Sequence, residues 1–192
     1  MVIAGGLAWR AVDADAQGGP VALPHVDYRA ALKGARFVVG DNSQRFCVLE
    51  FFDYECPPCR LITPQVHAVV LNHRSDVSLA LRNFPLNMHP HARQLALVAC
   101  VLSQPEFEKF DPEAISLEAK KLDSLLDSWH KHLDQVRPAW LIEARGKLES
   151  EKLAAALLTV NSTPSIFVVD RLTGVTYKCP SLNALKSVIS KA

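Results

Sequence analysis

Reactive chemistry in this sequence is concentrated at Cys56 and Cys59, which stand three positions apart in a Cys-Pro-Pro-Cys segment. Two cysteines at this spacing can close a small disulfide. The apolar run 48–52 before them is typical of a strand, and a helix is predicted from residue 57 onward. The first sulfur of a pair at a helix N-terminus faces unpaired N–H groups and the positive end of the helix dipole, which favours the reactive thiolate. The pattern therefore predicts a dithiol that exchanges with other disulfides.

The same pair could instead be half of a zinc site or a purely structural disulfide. Zinc needs two further ligands, but the other cysteines are isolated, and no cysteine is close in sequence to the His89-Pro90-His91 segment. A structural disulfide across so short a loop removes little chain entropy. Disulfide exchange is therefore the favoured interpretation, and we expect no metal and no other cofactor. His89 and His91 are expected to be capping or surface residues.

Three further cysteines lie outside the pair, at Cys47, Cys100 and Cys179. Cys47 and Cys100 fall in apolar runs and are expected to be buried as small hydrophobic side chains. Cys179 precedes a proline at a predicted strand end, where we expect more exposure. A bridge from Cys179 to Cys100 or to Cys47 is left open by the sequence.

Length and composition indicate one globular domain. The chain has 192 residues and is 49% hydrophobic, which suffices for one sizeable core but not for two comfortable domains. The net charge is +1 and no basic stripe with interleaved aromatic residues is present, so nucleic acid is not an expected partner. Residues 1–26 are interpreted as a flexible leader or as the remnant of a signal peptide or membrane anchor that starts upstream of Met1. Residues 27–192 are expected to form the single domain.

The order of the predicted elements defines an α/β fold. Strands over 47–52 and 77–84 flank a helix over 57–73, which makes a βαβ unit with a parallel strand pair. Helical patterns follow over 90–102, 112–136, from 137 onward and over 150–159. Strands over 165–169 and 175–178 and a helix over 182–190 then close the chain. The cysteine pair lies at the C-terminal end of a central parallel strand, where open α/β sheets place their sites.

Three segments resemble the thioredoxin superfamily and, within it, the DsbA-like disulfide oxidoreductases. Residues 48–59 resemble the family's strand, buried acid and C-P-x-C motif, and residues 161–168 resemble its cis-proline loop and following strand. Residues 82–86 and 89–92 resemble the start of its helical insertion. The resemblance covers about 36–190. It implies a thioredoxin-like fold with a helical insertion, about 90–159, between the βαβ and ββα halves.

The resemblance also implies roles for individual residues. Cys56 corresponds to the nucleophile and Cys59 to the resolving thiol, and Glu50 corresponds to a buried acid that accepts the proton of Cys59. The alternative for Glu50 is a strand residue that faces solvent. Residues 53–55 are expected at the rim of the site. Four residues are expected to bind the substrate: Pro57 and Pro58 beside the cysteines, and Thr163 and Pro164, where a cis proline would present the Thr163 backbone to an extended client strand.

This sequence departs from the family pattern in places. Pro58 stands where family oxidases often carry histidine or tyrosine, which leaves the redox direction open and predicts a less stabilised Cys56 thiolate. Thr159 stands where a glycine usually ends the preceding helix. Residues 104–117 look less regular than the usual insertion.

The function implied is a thiol–disulfide oxidoreductase that exchanges a Cys56–Cys59 disulfide with cysteines of client proteins. The resemblance places it in the periplasm or otherwise outside the cytoplasm. A membrane redox partner and a membrane anchor upstream of Met1 are left open. Two alternatives remain: a dedicated thiol reductase for one extracytoplasmic client, and a redox-inactive binding or chaperone domain.

Overall fold

The computed structural model of this chain describes residues 18–23 and 25–190. Within them, strands form a six-stranded mixed sheet in the order β1-β6-β5-β3-β4-β2. The strands are β1 Val21–Leu23, β2 Arg36–Val39, β3 Phe46–Phe52, β4 Val77–Asn83, β5 Ser165–Asp170 and β6 Val175–Cys179.

Helices cover both faces of this sheet and build the insertion. They are α1 Tyr28–Leu32, α2 Pro57–Leu71, α3 Ala92–Val101, α4 Gln104–Ser116, α5 Ala119–Val136, α6 Trp140–Leu157 and α7 Leu182–Ile189. In the described part of the chain, no helix combines the length and the apolar character needed to cross a membrane.

Strand β3 lies at the centre of the sheet, parallel to β4 and antiparallel to β5. Every residue of β3 is buried, because helices cover both of its faces. Phe46, Val48 and Phe52 pack in the cluster that includes α2 and the insertion. Leu49 and Phe51 pack on the other side, with α1 and the end of α6. The predicted thioredoxin-like fold with a helical insertion is confirmed, and the C-terminal end of β3 leads directly to Cys56.

The structure corrects the predicted leader at residues 21–23. These residues form strand β1, which pairs antiparallel with β6 at the sheet edge. A strand of three residues is too short to show an alternating pattern, so its backbone pairing could not be seen in the sequence. The rest of the predicted leader up to residue 17, and residue 24, lie outside the described residues.

The insertion is more regular than the sequence predicted. Residues 104–116 form helix α4, which begins with a capping box: the Ser103 backbone N–H donates to Glu106 Oε2 over 2.7 Å. The predicted helix over 112–136 is in fact two helices, because Leu117 is extended and ends α4. Helix α6 is continuous where two helical segments were predicted. Gly146 does not interrupt it, since one helical glycine costs only about 1 kcal/mol.

Thr159 ends helix α6 in a left-handed conformation, with φ of +51°. Its N–H donates to Ala156 O over 3.1 Å, and the Val160 N–H donates to Ala155 O over 2.9 Å. This pair of bonds is the Schellman motif, which normally places glycine at the left-handed position. The departure from glycine noted in the sequence therefore leaves the turn geometry unchanged and adds local strain, because threonine is branched at Cβ.

A buried ion pair fixes α6 to the sheet. Arg82 of β4 is 1% exposed and donates to Glu151 Oε2 over 2.7 Å. The same guanidinium donates to the carbonyls of Ala31, over 2.9 Å, and Lys33, over 2.6 Å. Burial raises the pKa of Glu151, and the charge of Arg82 opposes that shift. The guanidinium of Arg82 donates to α1, to the turn after α1 and to α6. Arg82 therefore fixes the position of the insertion against the sheet.

Candidate functional site

Cys56 and Cys59 lie at the start of α2, as predicted. Cys56 occupies the N-cap position, and Pro57 and Pro58 are the first two helical residues. Both cysteines are free thiols. Cys56 is 4% exposed and Cys59 is fully buried, so Cys56 is the member of the pair that reaches the surface. Within the described ranges, no three His, Cys, Asp or Glu side chains come together as a metal site would require.

The two thiols differ in their affinity for a proton. The pKa of Cys56 is lowered to about 6, because the Cys59 thiol and the Cys59 backbone N–H donate to its sulfur and outweigh the cost of burial. The pKa of Cys59 is raised, first by burial and then by the neighbouring Cys56 sulfur. At neutral pH this arrangement gives a thiolate at Cys56 and a protonated thiol at Cys59.

The loop that precedes β5 lies against Cys56. The Thr163–Pro164 peptide bond is cis. The Cys56 Sγ atom lies 3.4 Å from the Thr163 carbonyl oxygen, although the two residues are 107 positions apart in the sequence. Ser165 Oγ donates to Ser162 O over 2.8 Å and closes the turn that holds this loop. The predicted residues Thr163 and Pro164 are therefore brought to the dithiol.

Glu50 is fully buried on the β3 face that α2 covers. Thr63 Oγ1 donates to Glu50 Oε1 over 2.6 Å, while Glu50 Oε2 has no hydrogen-bond partner. Burial raises the pKa of Glu50 to about 7. Thr63 follows Cys59 by one helical turn and is also buried, so Glu50 lies under the same face of α2 as Cys59. The alternative of a solvent-facing Glu50 is wrong, and the contact of Thr63 with Glu50 is one that the sequence did not reveal.

The segment between β3 and Cys56 is held by side-chain hydrogen bonds. Asp53 is 2% exposed and accepts the backbone N–H groups of Glu55 and Leu86, each over 2.8 Å. The Nδ1 atom of His89 lies 2.8 Å from Asp53 Oδ2. Tyr54 is also buried. Asp53 and Tyr54 therefore lie beneath the rim of the site, and Glu55 is half-buried at it.

His91 repeats this arrangement two residues further along. Its backbone N–H donates to Glu55 Oε2 over 2.6 Å, and its Nδ1 lies 2.9 Å from Glu55 Oε1. Its Nε2 lies 3.1 Å from Asp123 Oδ1 of α5. The bond to Glu55 raises the pKa of His91. His91 does occupy the N-cap position of α3, but its side chain makes no capping bond.

The expectation of a capping or surface role thus misses what the two histidines do. Asp53 pairs with His89, and Glu55 pairs with His91. The two acids are two positions apart in the sequence, and so are the two histidines. That shared spacing is the signal in the sequence that could have indicated the contact. The contact connects the segment that carries Cys56 to the segment that leads into α3.

The remaining cysteines are structural. Cys47, Cys100 and Cys179 are free and buried, which excludes a bridge among them in this structure. Burial raises the pKa of Cys47 to about 11 and those of Cys100 and Cys179 to about 12. Cys179 is 3% exposed, so its predicted exposure is wrong.

No family model matches the chain. A stretch of 160 residues is 29% identical to part of the Na(+)/H(+) antiporter NhaA 3 of Salinispora tropica. That stretch covers 77% of this chain and 24% of the antiporter, so the chain spans about a quarter of that curated relative.

Solved structures similar to this chain share its fold. DsbA2 of Pseudomonas aeruginosa is 25% identical with a TM-score of 0.56, over 80% of this chain and 91% of that one. A thioredoxin-like oxidoreductase from Silicibacter pomeroyi is 21% identical with a TM-score of 0.66, over 85% and 96%. The thiol-disulfide exchange protein alpha-DsbA2 from Wolbachia pipientis is 16% identical with a TM-score of 0.65, over 85% and 91%. The predicted resemblance to DsbA-like thiol–disulfide oxidoreductases is confirmed, and the similarity to DsbA2 supports the predicted enzyme class.

Proposed function

We propose that the protein is a thiol–disulfide oxidoreductase that exchanges a Cys56–Cys59 disulfide with cysteines of client proteins. One observation carries the proposal: of the two thiols at the start of α2, Cys56 has a lowered pKa and is 4% exposed, while Cys59 has a raised pKa and is fully buried. A nucleophile that ionises below neutral pH and a buried partner that keeps its proton are what stepwise exchange requires.

In the oxidising direction, a client thiolate attacks Cys56 of the disulfide. The bond between Cys56 and the client forms, the Cys56–Cys59 bond breaks, and Cys59 leaves as a thiolate that takes up a proton. A second client thiolate then attacks the client sulfur of the mixed disulfide, and Cys56 leaves as the stabilised thiolate. Two electrons pass from the client dithiol to the protein, and two protons leave the client thiols.

In the reducing direction, the Cys56 thiolate attacks one sulfur of a client disulfide. The Cys56–client bond forms, the client disulfide bond breaks, and the other client sulfur leaves as a thiolate that takes up a proton. Cys59 then resolves the mixed disulfide. Cys59 must first lose a proton, and we assign Glu50 as the acceptor. Glu50 lies beneath the same face of α2, one of its oxygens has no partner, and its pKa is near the working pH. The Cys59 sulfur then bonds to Cys56 as the client thiolate leaves.

We assign client binding to the surface around Cys56. The Thr163 backbone lies beside the nucleophile and can pair with an extended client segment, which supplies affinity without demanding a particular sequence. Pro57 is exposed and Pro58 half-buried at the start of α2, so both can contact that segment, and Pro164 directly follows Thr163 in the loop beside Cys56.

We further propose that the protein works outside the cytoplasm, next to a membrane redox partner. Protein disulfides persist in oxidising compartments, which suits the chemistry of the pair. A segment similar to this chain also occurs within a protein named as an Na(+)/H(+) antiporter, which supports an association with membrane proteins. Fractionation of cells into cytoplasm, envelope extract and membrane tests the location.

The second candidate is a dedicated reductase, and Pro58 favours it. Pro57 and Pro58 donate no backbone N–H, so in the described part of the chain the backbone donor that acts on Cys56 is the Cys59 N–H. The Cys56 pKa of about 6 lies in the upper part of the range of about 3.5 to 7 found for thiols in C-x-x-C motifs of this fold. A higher pKa means a less stabilised thiolate in the reduced form, and so a disulfide that is a weaker oxidant.

Two assays side by side test the proposal. Oxidase activity is measured as oxidation of a reduced two-cysteine peptide, and reductase activity as reduction of insulin. Cys56→Ser should abolish both activities, and Cys179→Ser, which removes a buried cysteine outside the pair, should retain them. Activity in neither assay from the folded wild type would overturn the proposal in favour of a redox-inactive binding domain.

A further inference from the structure

A cavity of about 760 Å³ lies between the sheet and the insertion, at the sheet edge that β2 forms. It exists because β2 begins at Arg36, which pairs with Leu81, whereas β4 continues to Asn83. The last two residues of β4 therefore extend beyond the edge strand. The turn after α1, helix α4 and helix α6 enclose the space beside them. Among the described residues that line the cavity, none belongs to the dithiol site.

The inner end of the cavity is mainly apolar. Phe52, Leu81 and Phe107 line it, and each is at most 4% exposed. The amide of Asn83 is turned towards the Cys100 thiol, with Nδ2 at 3.7 Å from Sγ. Small-molecule sites have volumes of roughly 300–1,000 Å³ and are lined mainly by apolar and aromatic side chains in this way. The inner end is therefore suited to the apolar part of a small molecule.

Basic side chains surround the mouth of the cavity. Lys33, directly after α1, and Lys147 of α6 are exposed residues of the lining. Arg36 also lines the cavity and is half-buried. Its Nη2 atom donates to the carbonyls of Ala99, over 3.1 Å, and Leu102, over 2.8 Å. These bonds fix one positive charge in the wall, while the two lysines are free to move at the opening.

Negative charge in the lining is already compensated. Glu151 is the acidic residue of the described lining, and it accepts from Arg82 Nη1 over 2.7 Å. Lys147 Nζ lies 2.7 Å from Glu143 Oε1, but both side chains are about half exposed. A surface ion pair of this kind contributes little to stability, so Lys147 can leave Glu143 and bind another anion. The mouth of the cavity therefore carries an excess of positive charge.

We propose that the cavity binds an amphiphilic monocarboxylate, which is an apolar chain that ends in one carboxylate. The chain fills the inner end, and the carboxylate lies among Lys33, Arg36 and Lys147. Leu153 and Leu157 of α6 line the cavity as well, although they are 69% and 47% exposed. They extend the apolar wall towards solvent, so a bound chain would cover apolar surface that is now in contact with water.

Charge and polarity distinguish this ligand from others. A nucleotide or a peptide segment carries hydrogen-bonding groups along its whole length, and these would lie unpaired against the buried rings of Phe52 and Phe107. An uncharged chain of the same length would fill the inner end but gain nothing from the basic side chains at the mouth. An inorganic anion would gain nothing from the apolar wall. A chain with one carboxylate uses both parts of the cavity.

The first test uses the wild-type protein, with decanoate as the probe. Isothermal titration calorimetry below the micelle concentration should show saturable binding of one decanoate per chain. From octanoate to decanoate to laurate, the affinity should rise by up to about fourfold for each added methylene. Decanol and acetate should each bind more weakly than decanoate. The absence of saturable decanoate binding, or equal binding of decanol, would overturn the proposal, whatever the result of the disulfide-exchange assays.

The position of the ligand is read from leucine methyl resonances in the ¹³C-labelled protein. Leu81 and Leu157 line the cavity, so their methyl resonances should shift when decanoate is added. Leu61 lies on α2 two residues after Cys59 and is 48% exposed, and its resonances should not shift. Shifts at Leu61 without shifts at Leu81 would mean that decanoate binds near the dithiol, and the proposed site would be wrong.

Two matched variants of α6 test the contribution of charge. Lys147→Gln removes a cation at the mouth, and Lys152→Gln removes one outside the cavity. Each of these lysines pairs with a glutamate of its own helix over 2.7 Å. Lys147→Gln should weaken decanoate binding by up to about fivefold and leave decanol binding unchanged, whereas Lys152→Gln should change neither. Equal effects of the two variants on decanoate binding would contradict a carboxylate site at the mouth.

A second pair of variants tests the cavity itself. Ser150 is an exposed residue of the lining, so Ser150→Trp places an indole ring at the mouth and should abolish decanoate binding. Ser128 is exposed on α5 outside the cavity, and Ser128→Trp should retain binding. Circular dichroism checks that both variants are folded, and if Ser150→Trp is not, the methyl shifts of the wild type decide. Wild-type affinity in folded Ser150→Trp would show that decanoate binds elsewhere and would overturn the proposal.

Discussion

Restoring one backbone N–H to the start of α2 should stabilise the Cys56 thiolate. The side chain of an N-cap residue accepts from the N–H of the second or third helical residue. In this protein the second is Pro58, which has none, and the third is Cys59, whose N–H already acts on Cys56. Pro58→Ala supplies the missing donor without adding a charge.

The size of the effect follows from the number of donors. A hydrogen bond to a charged group contributes about 1.5–3 kcal/mol, and one pKa unit corresponds to about 1.4 kcal/mol. Because Cys56 reaches the surface, we take the lower end of that range, which moves the pKa from about 6 to about 5. The reduced form gains the same free energy, so the reduction potential should rise by about 30 mV. Pro58→His adds a ring donor as well and should shift both quantities further.

Thiolate absorbance against pH gives the pKa, and equilibration with glutathione gives the potential. The matched control is Pro64→Ala, which also restores an N–H to α2 but lies two turns beyond Cys56 and should leave both values unchanged. An unmoved Cys56 pKa in Pro58→Ala, or an equal shift in Pro64→Ala, would refute the argument from backbone donors.

Four further outcomes are expected. Limiting alkylation of the reduced protein, read by mass mapping, should label Cys56 before Cys59, because Cys56 is the more exposed of the two. Cys59→Ser should trap mixed disulfides with clients, because it removes the thiol that resolves them. Glu50→Gln should slow release of the mixed disulfide. Folding raises the pKa of Glu50, so the free energy of unfolding of the wild type should fall by at most about 3 kcal/mol as the pH rises from 4.5 to about 7. Denaturant titrations of Glu50→Gln should not show this fall. Thr159→Gly should raise the free energy of unfolding in urea by about 1 kcal/mol, because glycine adopts the left-handed conformation without strain. At pH values below about 6.5, His91→Gln should have a lower melting temperature than the wild type, because the bond to Glu55 raises the pKa of His91 and the charged ring stabilises the fold. At higher pH the ring becomes neutral, and the difference in melting temperature should disappear.

Each of these has an outcome that contradicts it. Cys59 labelled first would reverse the assignment of the two thiols. A stability difference between Glu50→Gln and the wild type that does not vary with pH would mean that Glu50 is not a buried titrating acid. A less stable Thr159→Gly would show that the threonine side chain makes contacts that outweigh its strained backbone. A pH-independent effect of His91→Gln would leave only packing as the role of that ring.

Local patterns in the sequence determined where the cysteine pair lies and the order of the elements. Cys56 and Cys59 are three residues apart, so their placement at a strand-to-helix junction follows from the apolar run before them and the prolines after them. The βαβ and ββα halves follow from short continuous apolar runs, which are typical of strands covered on both faces, and from apolar stripes with a period of 3.6, which are typical of helices. Boundaries within the insertion did not follow, since α4 and α5 carry compatible apolar stripes and only the extended Leu117 separates them.

What only the tertiary structure decided is which distant groups meet, and how tightly each holds its proton. The sequence could not separate a buried Glu50 from an exposed one, because a strand covered on both faces has no alternation to show which residues face solvent. Thr163 comes within 3.4 Å of Cys56 only because antiparallel pairing of β5 with β3 brings together residues that are 107 positions apart. The contacts of His89 with Asp53 and of Asp111 with Tyr54 likewise depend on how the insertion closes over the sheet. The proton affinities depend on burial and on these neighbours, since both act through space and neither is recorded in the order of the residues.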